Sequence, residues 1–200
     1  MNNEPLTSGS VFANAGIVEK VEFYKKHEPD LQGLPPRLDT TVIDINLKSV
    51  VTTAYLAIHF FRKNSKPGGV LVMTASSGGL YPIPYLPMYA GAKHGVVGFM
   101  RSLGDTLSQE AIRANCICPA AVRTNLITKE EWDKMPQDTF VPIEKVVEVV
   151  QMLVNDENLH GKAVELIQDR WRFRDGLPLD DPAMKDIMSV SETPFNREKP

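Results

Sequence analysis

Polar and apolar positions along the chain keep changing period. From Leu38 to Asn64, the positions Val42, Ile45, Ser49, Thr52 or Thr53, Leu56 and Phe60 recur at three- and four-residue steps, which predicts a helix. Pro67-Gly68-Gly69 stops it. Val70-Leu71-Val72-Met73 is a continuous apolar run, as expected of a strand covered on both faces of a parallel sheet. The pattern then predicts a helix from Met88 to Glu110, a strand from Ile112 to Cys118 ended by Pro119, a helix from Ile143 to Val154 and a last strand from Ala163 to Ile167. Ser10 to Ala13 reads as the end of a short strand leading into Asn14-Ala15-Gly16. Residues 18 to 36 are mixed and close on the loop signal Gly33-Leu34-Pro35-Pro36, and residues 78 to 87 hold two glycines and three prolines, a stiff loop. A polar connection runs to about Pro142, and the tail from Asp169 reads as Pro-rich and irregular. Strands alternating with helices predict a parallel α/β sheet with right-handed crossovers.

Composition narrows this little. Two hundred residues, with 42% apolar and 24% charged, suit a single globular domain with a sizeable core. A net charge of -3 argues against a nucleic-acid or anionic-membrane surface. The most basic stretch, Arg170-Trp171-Arg172-Phe173-Arg174, is flanked by Asp169 and Asp175 and reads as a solvated edge or a lip over a pocket. The longest mostly apolar stretch, Val50 to Phe61, is too short and too polar to span a bilayer, so no membrane role is expected. The N-terminus shows no basic or apolar leader pattern, which points to the cytoplasm. Cys116 and Cys118 alternate along one strand and share a face, where a disulfide fits poorly and two thiols alone make no zinc site. They read as buried reduced cysteines, and no metal site is expected.

Chemistry enters at Tyr89 and Lys93, four residues apart and so on one face of the predicted helix. Moving a proton to or from an alcohol oxygen needs an acid/base group within hydrogen-bond reach. A free tyrosine ionises near pH ~10, and a nearby ammonium would bring that down. Such a pair also arises by chance, so its setting matters. Ser76 lies thirteen residues before Tyr89, at the C-terminal end of a strand, where ligands of open α/β sheets bind. A hydroxyl there can bond a developing oxyanion. Ser77 is the alternative, and both serines could be mere turn residues; the spacing to Tyr89 favours Ser76. Asn46, thirty residues before Ser76, interrupts an otherwise apolar helix. It is either an exposed position or a local break that holds a water chain to Lys93. Asn14-Ala15-Gly16 could bring main chain close to a ligand, or be a common turn.

In this order, with Ile117-Cys118-Pro119 followed by Val122 and Thr124, these residues resemble the short-chain dehydrogenase/reductase family from about Val11 to Ile167. The run Tyr89 to Gly98 looks most like the branch containing 15-hydroxyprostaglandin dehydrogenase. The resemblance implies an oxidoreductase moving hydride between NAD or NADP and a secondary alcohol or ketone, with NAD slightly favoured. It makes Tyr89 the acid/base, Lys93 its modulator and a partner of the nicotinamide ribose, and Ser76 the substrate-orienting hydroxyl. Asn46 completes a proton relay. Asn14, Ala15 and Gly16 line the adenosine side, and Val122 and Thr124 lie against the nicotinamide carboxamide. The stiff loop with Tyr81, Ile83, Tyr85 and Leu86 suggests a hydrophobic substrate. His94 reads as structural, and His27, His59 and His160 have no arguable partner.

Two departures stand out. Ala120 replaces the usual glycine after Pro119. The thirteen glycines include no Gly-x-Gly pair, so the turn that grips a pyrophosphate in the family is missing from this sequence. The expected fold is therefore a partial Rossmann-like sheet with strands equivalent to 4-5-6-7, helices on both faces and the first βαβαβ half missing. Residues 1–200 form one incomplete domain, with an unmatched lead over 1–10, a matched core over 11–168 and the tail over 169–200. Weak dinucleotide binding, an exposed strand edge and a homo-oligomer, or a heterodimer with a full-length relative, are expected. The alternative function is a non-catalytic partner that pairs with such a relative.

Overall fold

The computed structural model describes residues 9–20, 23–66 and 68–190. Most of the unmatched lead, Pro67 of the expected helix stop and the last ten residues of the tail lie outside them. Five strands form one sheet in the order β1-β2-β3-β4-β5: β1 Ser10–Ala13, β2 Gly69–Thr74, β3 Ile112–Pro119, β4 Ala163–Ile167 and β5 Arg170–Arg174. The first four run parallel, and β5 returns antiparallel to β4. The α/β class and the parallel core match the expectation, and β1, β2 and β4 were anticipated to within about one residue.

Alternation along the strands sorts the core into two faces. Leu71 and Met73 of β2 and Ala114, Cys116 and Cys118 of β3 face α1 (Thr41–Phe61) and α2 (Pro87–Leu107). Val70, Val72, Ile117, Val164 and Leu166 face α4 (Ile143–Asn155), which buries Val149 and Leu153. Both cysteines are free and buried on the α1/α2 face, as their spacing indicated.

α1 is not uniform. It opens as α-helix at Thr41–Ile43, widens into a π turn over Asp44–Lys48 and continues as α-helix from Ser49 to Phe61. Asn46 sits in the π turn and is fully buried, so the local break is found and the exposed alternative is not. Taken whole, this 21-residue helix is long and apolar enough by composition to cross a membrane, which the shorter stretch Val50 to Phe61 did not reveal. Val50, Ala54, Ala57 and Phe61 nonetheless pack into the sheet core.

The tail differs most from expectation. After Ile167 the chain turns through Gln168 and Asp169, pairs Ile167 with Arg170, and forms β5. A short helix, α5 (Pro182–Val190), follows and buries none of its residues. Gln-Asp is not one of the turn pairs that announce a two-residue hairpin, because the first position needs a left-handed φ. Gln168 adopts φ 56° there. Glu165 explains why the turn is tolerated. Its buried carboxylate accepts from Arg172 Nε at 2.7 Å and Arg174 Nε at 2.6 Å, so the basic run closes over a buried acid. Trp171 and Phe173 take the other side of β5 and meet edge to face at 5.3 Å.

Candidate active site

The C-terminal ends of β1, β2 and β3 bound a cavity of about 440 Å³. Asn14, Ala15 and Gly16 follow β1; Thr74 ends β2, with Ala75 and Ser76 just after it; Pro119 ends β3, with Val122 and Thr124 beyond; and Tyr89 and Lys93 enter from α2. Six sequence-predicted residues besides Tyr89 and Lys93 thus line one space. Asn46 is the exception. It stands behind the loop, where its Nδ2 donates to Ile17 O at 2.7 Å and its Oδ1 accepts from Ile17 N at 2.8 Å.

The lack of a side chain at residue 16 eases this close approach. A Cβ on Gly16 would come within 3.1 Å of Asn46 Oδ1 and 3.4 Å of Lys93 Nζ. Asn14 is fixed by Thr74 Oγ1, which donates to its Oδ1 at 2.9 Å. On the far side, Gly79 lets α2 touch the turn after β2, since a Cβ there would meet Lys93 O at 2.7 Å. Ser76 precedes that turn with extended backbone, and its Oγ accepts from Gly78 N at 3.1 Å. Ser77 lies inside the turn and does not line the cavity.

The electrostatics follow from burial. Lys93 is 2% exposed and donates from Nζ to Thr74 O at 2.8 Å. Burial lowers its pKa to about 8, and the neighbouring Cys118 side chain draws it partly back up. The Tyr89 phenol is pushed above its usual range by burial, while a hydrogen bond with Ser76 acts in the opposite sense. The ammonium was expected to bring the phenol down. Here it lies 5.7 Å from the ring centroid with its donor turned to Thr74, and desolvation of the phenol is the larger effect.

The apolar wall comes from residues that the pattern did not single out: Leu126, Trp132, Ile143 and Val146. Trp132 belongs to α3 (Lys129–Trp132), a single turn held by a capping box between Thr128 and Glu131. Its indole donates to Thr124 O at 2.8 Å and its ring meets Phe140 edge to face. The Thr-x-x-Glu spacing before Trp132 was the available signal. The loop residues that suggested a hydrophobic substrate do not line this cavity. Tyr81 is partly exposed and bonded to Arg174, Tyr85 is exposed with φ 65°, and Ile83 and Leu86 pack against Val42, Met88 and Tyr89. His94 bonds Ala90 O through Nδ1, a structural role as expected. Among the described residues, no cluster of three or more His, Cys, Asp or Glu could hold a metal ion.

With this geometry in place, the sequence profile for short chain dehydrogenase matches residues 9–135. The chain belongs to the short-chain dehydrogenase family. Short-chain dehydrogenase/reductase prx7 of Penicillium rubens is 42% identical over 204 residues, covering 90% of this chain and 72% of that protein. Human 15-hydroxyprostaglandin dehydrogenase [NAD(+)] is 40% identical over 95 residues, covering 46% of this chain but 36% of its own length. That branch likeness is therefore local. The chain spans 53% of a second Penicillium rubens relative, prx6, at 35% identity. Among solved structures, a 4-hydroxyisoleucine dehydrogenase complexed with NADH and succinate superposes with a TM-score of 0.63 at 22% identity, covering 80% of this chain and 67% of that one. Such distant neighbours have the same family fold, and they have been solved with NADH or with NADP.

Proposed function

We propose that the chain carries the reaction centre of a nicotinamide-dependent oxidoreductase acting on a secondary alcohol or ketone. The observation that carries this reading is the convergence of Ser76, Tyr89 and Lys93 on one cavity, with Asn14, Ala15 and Gly16 at one side and Val122 and Thr124 at the other. A cavity of about 440 Å³ is within the range of small-molecule sites. The bare backbone at Gly16 and the buried Lys93 ammonium suit the ribose side of a nicotinamide cofactor.

When bound, that cofactor supplies or accepts the hydride. The chain's own groups handle the proton. Tyr89 gives its phenolic proton to the substrate oxygen in reduction and takes it back in oxidation. Ser76 stands beside the phenol to bond the same oxygen as its charge changes. Because burial raises the phenol, the protonated form dominates at neutral pH, which suits proton donation to a carbonyl. Both polar ends of the Asn46 side chain are engaged by Ile17. Nδ2 keeps a second N–H, so a water relay at this position can be held by that hydrogen or by the main chain of the π turn. The wall of Leu126, Trp132, Ile143 and Val146 favours an apolar substrate body.

Titration with NADH and NADPH, followed by nicotinamide fluorescence, tests the cofactor and chooses between the two. Tyr89→Phe removes only the hydroxyl, and turnover is expected to fall by at least about a thousandfold with an unchanged unfolding temperature. Undiminished turnover in that variant would remove Tyr89 from its role. A second reading, a non-catalytic pairing partner, draws on the absence of any Gly-x-Gly pair in the sequence. It is supported if the chain co-purifies with an intact family member and binds neither cofactor.

A further inference from the structure

Glu19 belongs to none of the motifs above, yet it is 6% exposed and sits against the helix that carries the phenol. Its Oε2 accepts the backbone N–H of Tyr89. Its Oε1 is buried and has no hydrogen-bond partner among the described residues. Tyr89 is the third residue of α2, so its N–H is one of the first-turn donors that a helix leaves unpaired. The usual remedy is absent. Leu86, the residue before the helix, has no side-chain acceptor, and Pro87 has no N–H to offer.

A buried carboxylate with an unmet oxygen is costly, and a serine or aspartate at position 86 would cap the same turn without that burden. A local cap would not supply a link between elements. Glu19 lies on the loop that leaves Gly16, and Asn46 already ties this loop to α1 through the two bonds to Ile17. With the Glu19 bond, the loop is fixed to α1 at residue 17 and to α2 at residue 19. We propose that Glu19 is a positioning residue, locking the first turn of α2 to the cofactor-side loop and so fixing where the Tyr89 hydroxyl stands beside Ser76. The inference deepens the hydride-transfer reading and rests on it for the chemistry, though not for the geometry. Glu19 from the loop and Lys93 from α2 itself are charged groups beside this turn.

The test compares Glu19→Gln with Glu19→Leu in the full chain. Glutamine keeps a carbonyl acceptor and loses the charge; leucine loses both. Amide hydrogen exchange at Tyr89 reads the bond. Ultraviolet titration of the tyrosines, with Tyr89→Phe identifying the Tyr89 step, reads the phenol's surroundings. In Glu19→Gln the amide should exchange within about threefold of the unaltered chain and the Tyr89 step should stay in place. In Glu19→Leu the amide should exchange at least about tenfold faster, and the step should move down toward that of an exposed tyrosine as water reaches it. Equal displacement of the step in both variants would mean that charge alone acts, and unchanged exchange in Glu19→Leu would mean that the bond holds nothing; either result overturns the proposal. Should Glu19→Leu fold poorly, adding Leu86→Ser supplies a local cap. The double variant should regain the unfolding temperature but not the Tyr89 step, and recovery of both would reduce Glu19 to a cap. If the unaltered chain binds no nicotinamide cofactor, the hydride-transfer reading fails, while exchange and titration still decide the clamp.

Discussion

Lys93 is held in an environment that its charge resists, because burial lowers its pKa from 10.5 to about 8. An unfolded chain binds the Lys93 proton up to about pH 10, whereas the folded chain releases it near 8. Between those values the unfolded state holds more protons, so stability should rise with pH. The destabilisation is fully present below about pH 8. Lys93→Met should flatten this rise in denaturant titrations run between about pH 8 and 10, and an unaltered slope would show that the ammonium is better solvated than its burial implies. The full span corresponds to on the order of 3 kcal/mol. This balance was invisible in the sequence. The i, i+4 spacing placed Tyr89 and Lys93 on one face, but it could not say that the ammonium would point at Thr74 O. The same holds for Glu19. A glutamate in a mixed-composition loop carries no sign that it will be buried against a helix formed seventy residues later.

Elements with strong periodicity were legible, and those fixed by single contacts were not. β2 and α4 follow directly from apolar runs and an amphipathic pattern, and each is found where the pattern ends it. The hairpin to β5 was missed because it depends on Glu165 attracting Arg172 and Arg174, a pairing that no local propensity encodes. Arg113 shows the same kind of tertiary control. From β3 it donates to Leu153 O, Val154 O and Leu159 O at 2.8, 2.7 and 2.9 Å, closing the C-terminal end of α4 with one guanidinium. Arg113→Lys keeps the charge but not the planar fork, and it should cost about 2–4 kcal/mol in urea unfolding. A loss under about 0.5 kcal/mol would show that the carbonyls find other donors. Ala111 offers the opposite case. It bridges α2 and β3 with φ 55° and ψ 26°, a left-handed conformation that a Cβ disfavours. Its side chain is exposed. Ala111→Gly should therefore stabilise by about 0.5–1 kcal/mol.

For the molecule as a whole, α1 presents a surface suited to association. Its inner side packs into the sheet core, yet Val51, Tyr55, Leu56 and Phe60 on its outer side are 38%, 74%, 49% and 53% exposed. A helix that is apolar on both sides is ordinarily buried on both sides. The sheet raises a rival site for association. Among the described residues β1 pairs only with β2, and its Phe12 is half exposed. The two surfaces call for different chemistry. Helix packing depends on side chains, whereas edge pairing depends on main-chain donors. Sedimentation velocity should show concentration-dependent self-association at micromolar chain. Tyr55→Lys combined with Phe60→Lys should return the chain to monomer with an unchanged far-ultraviolet circular dichroism spectrum, because neither side chain supports the core. Phe12→Pro removes an N–H from the side of β1 turned away from β2 and should leave association through α1 intact. If the lysine pair leaves association unchanged and the proline abolishes it, copies join through the sheet edge and the outer face of α1 awaits something else.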